Sequence, residues 1–111
     1  MKDFITYLNS RIEEGREEIA ALTADGRIDD ANFAKVRTNI YDVCRTVSQT
    51  LADRPGAGMK AVAVQLERFH TTWGAALEKA KQHDDVKSIA VEEIKLAALE
   101  DVIAHFREVK P

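Results

Sequence analysis

Phe33-Ala34-Lys35-Val36-Arg37-Thr38-Asn39-Ile40-Tyr41-Asp42-Val43-Cys44-Arg45-Thr46-Val47-Ser48-Gln49-Thr50-Leu51 is the stretch on which the fold turns. Its large apolar residues, Phe33, Val36, Ile40, Val43, Val47 and Leu51, recur at steps of three and four. On an α-helix that spacing keeps one seam pointing the same way for the whole length, whereas a strand would need alternation. Two other stretches repeat it. Ile5, Leu8, Ile12, Gly15, Ile19 and Leu22 form one, and Val62, Leu66, Phe69, Trp73, Ala76 and Ala80 the other. Helices with such narrow seams pack nearly antiparallel, with side chains interlocking along their length. With a fourth helical segment beyond residue 85, the expected fold is all-α: a four-helix up-and-down antiparallel bundle with short loops.

The composition agrees. The chain has 111 residues, of which 45% are apolar and 32% charged. That is enough for one folded domain, expected to span 1–111, with a core that needs no metal or disulfide. The net charge is −3 and the sequence pI about 5.6. Nucleic-acid binding normally needs a basic face, so none is expected. The charge is nonetheless uneven. Residues 59–82 hold four cations against two carboxylates, and residues 84–110 four against seven. Opposite signs on consecutive helices suit antiparallel neighbours. Cys44 is the only cysteine, so no internal disulfide can form. The start, Met1-Lys2-Asp3-Phe4, does not read as a signal peptide, and no apolar run nears the ~20 residues that cross a bilayer. A cytoplasmic protein that binds no membrane is expected.

The punctuation places the helices at about 3–22, 30–52, 59–81 and 85–109. Asp25-Gly26 is a turn signal, with Gly26 free to take the left-handed conformation that closes a helix. Asp29 or Asp30 is then placed to cap the second helix. Asp53-Arg54-Pro55-Gly56-Ala57-Gly58 is the strongest break. Gln82-His83-Asp84-Asp85 has the look of a tight turn with an Asp cap, but it lacks Gly and Pro. This leaves open a fusion of the last two helices into one rod, which would have to dimerise.

The fourth helix departs from the single-seam pattern. Val86, Ile89, Ala90, Ile94 and Ala97 share one face, and Leu96, Leu99, Val102, Ile103 and Phe106 share another. Two apolar faces imply two partners. Either this helix is central in an irregular bundle, or its second face is an interface formed by Val86, Ile89, Ile94, Leu99, Val102 and Phe106. Gly15 is the other anomaly. A glycine in a seam costs about 1 kcal/mol of helix stability relative to alanine. Close approach by a bulky side chain would compensate, and Trp73 is the largest candidate.

No set of residues assembles a chemistry. Asp25-Gly26-Arg27-Ile28-Asp29, followed by Phe33, resembles the second half of an EF-hand loop, but the frame puts Ala21 and Asn32 where a carboxylate and a bidentate Glu must stand. Glu67-Arg68-Phe69-His70 has the Glu-x-x-His spacing of di-iron bundles, yet a second such motif and two further inward carboxylates are missing. Cys44 sits among Ile40, Val43 and Val47, the setting of a buried, inert thiol. Arg54 to Lys60 lacks the strand, the adjacent Gly-Lys and the Ser or Thr of a phosphate loop. Glu13, Glu14, Glu17 and Glu18 cover the face opposite the seam and read as solvated. No catalytic, metal or cofactor site is expected. The expected role is non-enzymatic: a structural or interaction protein, homodimeric through the fourth helix or bound to another protein. The alternative is a small-ligand site inside the bundle near Trp73, His70 and Tyr41.

Overall fold

The computed structural model describes residues 1–56 and 58–109. Its four helices are α1 (Lys2–Ala24), α2 (Ile28–Ala52), α3 (Gly58–Gln82) and α4 (Val86–Arg107), joined by short turns. No strand occurs among the described residues. The chain is therefore an all-α four-helix bundle, with boundaries close to those its punctuation predicts.

Two of the turns share one mechanism. After α1, Gly26 has φ of 76°. The Gly26 N–H donates to the Thr23 carbonyl and the Arg27 N–H reaches back to that of Leu22, at 3.1 and 2.9 Å. These paired bonds satisfy the last carbonyls of the helix. After α3 the same pair recurs, from Asp84 to Lys81 and from Asp85 to Ala80, at 3.2 and 3.1 Å. There Asp84 supplies the left-handed residue, with φ of 50°. Aspartate is one of the few side chains that tolerates this conformation, so the turn closes without glycine. Asp85 then caps α4, accepting from the Ser88 N–H at 3.1 Å. Helices three and four are thus separate. The cap of α2 differs from expectation. Arg27 stands at the N-cap position and neither Asp29 nor Asp30 caps the helix through its side chain. Asp30 instead takes the Arg27 guanidinium, Nη2 at 2.7 Å.

The helices alternate in direction, but they are not equivalent. α1 lies along α2 and α3 along α4, while α2 touches all three others and α1 meets α4 only slightly. α2 and α4 form the inner pair and α1 and α3 the outer one. The Cα envelope measures 46 × 35 × 20 Å. Its long dimension exceeds the roughly 37 Å of a 25-residue helix.

One apolar core draws on all four helices. Phe4, Leu8 and Ile12 come from α1, Ile40, Tyr41 and Cys44 from α2, Val62 and Leu66 from α3, and Leu99, Val102, Ile103 and Phe106 from α4. These positions share one end of the bundle, the end with the termini and the α2–α3 turn. Burial of these side chains, worth about 1.5–3 kcal/mol each, concentrates stability there.

α2 corrects the sequence reading. Of its predicted seam only Ile40 is fully buried, and Phe33, Val36, Val43, Val47 and Leu51 are partly buried. The buried positions also include Ala31, Ala34, Thr38, Tyr41, Cys44 and Ser48. The helix presents small residues to α1, which comes close. The point of closest approach is Gly15, where an added Cβ would lie 2.9 Å from both Thr38 Cβ and Thr38 Cγ2. The partner that fills the space beside Gly15 is Thr38, not Trp73. Cys44 is completely buried, and burial pushes its thiol up to about 12. It is expected to resist a thiol reagent in native buffer and to react at once in denaturant. Fast native labelling, read by intact mass, would contradict its burial.

Candidate functional site

The densest group of chemistry-bearing side chains surrounds Asp101, on α4 where it faces α1 and α2. The Tyr7 and Tyr41 hydroxyls both donate to Asp101 Oδ2, the latter at 2.7 Å. Arg11 Nε lies 3.6 Å from the same oxygen. His105, one turn on, stacks its ring on that of Tyr7 with centroids 3.7 Å apart. Its Nδ1 lies 3.2 Å from the Asp101 carbonyl oxygen and 3.7 Å from Oδ1. Beneath them Phe4 and Phe106 meet edge to face at 5.2 Å. Three helices thus converge on one carboxylate.

The electrostatics of this group favour fixation over reaction. Burial raises the Asp101 pKa, but the hydrogen bonds from Tyr7 and Tyr41 and the Arg11 and His105 charges outweigh it, leaving it below the ordinary carboxylate value. Burial and the bond to Asp101 push Tyr41 up to about 12 and Tyr7 further still. Near neutral pH Asp101 is an anion, and the Tyr7 and Tyr41 hydroxyls are its donors.

A second group lies on the other side of α4. Phe69 stacks on Trp73 with centroids 4.7 Å apart, and Lys95 Nζ stands 5.0 Å from the Trp73 ring centroid. Lys95 also pairs with Glu92 at 3.4 Å. One turn away His70 Nε2 faces Glu100 Oε1 at 3.4 Å. Trp73 and His70 therefore face α4 from the α3 side, and Tyr41 from the α2 side. The helix stands between them, and none of the grooves described is lined by Trp73 or His70. The proposed ligand trio does not converge.

The six helix-four residues also divide. Leu99, Val102 and Phe106 are buried in the chain's own core, so they offer no surface to a partner. Val86 is 79% exposed, and Ile89 and Ile94 are half-buried. The two apolar faces of α4 belong to the central-helix reading in its second half and remain open in its first. Along α3 the situation is the same: Phe69, Trp73, Ala76 and Leu77 are only partly covered.

Comparison with protein-family models, curated proteins and solved structures finds no match for this chain. Among the described residues no group of three or more His, Cys, Asp or Glu is placed to hold a metal ion. No helix among them is long and apolar enough to cross a membrane. Tyr7, Arg11 and Asp101 were not legible as a group in the sequence. The one usable signal was an aspartate set between Ala98 and Val102 on the inner arc of α4, with a histidine four residues on.

Proposed function

We propose that this chain is a non-enzymatic interaction module of the cytoplasm, working as a homodimer through the α3–α4 hairpin. A single observation carries this reading. No residue from Phe69 to Lys79, or from Val86 to Ala97, is buried, although these segments include Trp73, Leu77, Ile89, Val91, Ile94 and Leu96. The same two helices are tightly covered at their other ends by α1 and α2. An apolar arm with one neighbour gains stability from a second. A second copy supplies an arm of the same composition, and a two-fold axis would set the two against each other. The locked state of the Asp101 group supports a role without catalysis.

The test is light scattering on a sizing column over a range of concentrations. The wild type is expected to run with a mass that rises to that of a dimer. Val86→Lys, with Ile89→Lys added, is expected to return it to the monomer with unchanged helicity by circular dichroism. A wild type that stays monomeric at every concentration would remove the homodimer reading.

A further inference from the structure

A second surface lies at the start of α3. Leu51, Arg54, Lys60, Ala61, Val64, Gln65 and Arg68 line a groove of about 360 Å³ between the end of α2 and the first three turns of α3. Val64 on its floor is 44% exposed. It continues into a shallower depression that shares Val64 and Arg68 and adds Ala63, Glu67, Thr71 and Thr72.

The charges of this groove set it apart. The chain has eight arginines. Six of them, Arg11, Arg16, Arg27, Arg37, Arg45 and Arg107, pair with a carboxylate of the chain itself. Arg54 and Arg68 have no such partner among the described residues, and both line this one groove with Lys60. No carboxylate lines it. Glu67, the nearest acidic residue of α3 to Arg68 in sequence, is taken up by Arg107 at 3.5 Å. In a protein of net charge −3, three uncompensated cations around an apolar floor concentrate a positive field on an otherwise acidic chain.

The geometry points to this groove as a docking site for an acidic peptide segment of a partner protein, one that sets an apolar side chain between carboxylates. The apolar residue would cover Val64, Ala61 and Leu51. The carboxylates would reach Arg54 and Lys60 on one side and Arg68 on the other, with the guanidinium groups able to hold them bidentately. Nucleic acid fits less well, because the lining has no aromatic ring on which a base would stack.

The test titrates the intact protein with a short fluorescein-labelled peptide of alternating Glu and Leu, read by anisotropy and by amide chemical shifts. Binding is expected to move the resonances of Ala61, Val64 and Gln65 and to weaken steeply with salt. Arg54→Glu and Arg68→Glu, both at exposed positions, are each expected to weaken binding by about tenfold. Lys35→Glu, away from the groove, should leave it unchanged. A Gln-Leu peptide of the same length should not bind. The proposal falls if the acidic peptide fails to bind at low salt, or if the charge reversals leave its affinity intact. It also falls if inorganic phosphate moves the same resonances as far, or if a single-stranded oligonucleotide of equal charge binds more tightly.

Discussion

Asp101→Ala is expected to lower the stability of the bundle by about 3 kcal/mol, since hydrogen bonds to a charged acceptor contribute roughly 1.5–3 kcal/mol each. Two such bonds, from Tyr7 and Tyr41, are lost together, and the exposed part of the site recovers some of the loss by hydration. Urea denaturation followed by circular dichroism measures it. Asp101→Asn should fall between, because an amide oxygen still accepts a hydrogen bond but carries no charge to set against Arg11. A loss below ~0.5 kcal/mol, the range of an ordinary surface substitution, would mean that the group does not tie the helices together.

The same group gives the stability a defined pH dependence. Asp101 is held below its ordinary value in the folded state. The unfolded chain therefore takes up the proton first, and the stabilisation is complete above the unfolded pKa, near 4. It is lost as pH falls through the folded value. Tyr41 works in the opposite sense. Its folded pKa is raised from 10.0 to about 12, so its contribution is complete below pH 10 and is lost as pH rises toward 12. Stability against pH should thus decline at both ends. In Asp101→Ala the acid limb should flatten, and in Tyr41→Phe the alkaline one should become shallower, with the raised Tyr7 and Cys44 groups sustaining the rest of the decline.

Gly15→Leu is expected to prevent α1 from seating on α2 and to cost about 3 kcal/mol or more, the upper range for overpacking a core. The smaller change, Gly15→Ala, is the sharper test. Alanine favours the helix by roughly 0.5–1 kcal/mol over glycine, so at an open position it would stabilise. Here the new Cβ would meet Thr38 Cβ and Cγ2 at 2.9 Å, and rotating the threonine cannot relieve contact with its Cβ. Gly15→Ala should therefore destabilise. Adding Thr38→Gly removes the obstructing side chain, and the double variant should be more stable than the two single effects predict. Melting temperatures of the four proteins decide it. A Gly15→Ala variant that melts above wild type would mean that the helices are farther apart than the structure places them.

How far each feature was legible depended on whether its physics is local. The apolar seams of α1 and α3 marked residues that do face the core, because Leu8, Ile12, Val62 and Leu66 lie on a stripe that any neighbour would cover. The helix ends near Gly26 and Gly56 were legible because their φ values, 76° and 73°, favour glycine. The α3–α4 turn was obscure for the same reason in reverse: Asp84 takes a conformation that sequence rules reserve for glycine. α2 misled because size was mistaken for burial. Its large residues are partly buried, and the tight contact runs through Ala31, Ala34 and Thr38, whose smallness has meaning only beside Gly15. The Asp101 group was harder still. Its tyrosines and carboxylate are separated by 94 and 60 residues, and no periodicity connects positions so far apart.

By itself the sequence determined four helices, their approximate ends, their antiparallel order and the burial of Cys44, all consequences of hydrophobic spacing and turn chemistry within a few residues. Only the tertiary structure decided that α2 and α4 are the inner pair, that α4 is core in its second half and open in its first, and that Arg54, Lys60 and Arg68 share a groove. Those facts depend on which helix lies beside which. That choice is made by side-chain size and shape across the interfaces, as where Gly15 lies against Thr38.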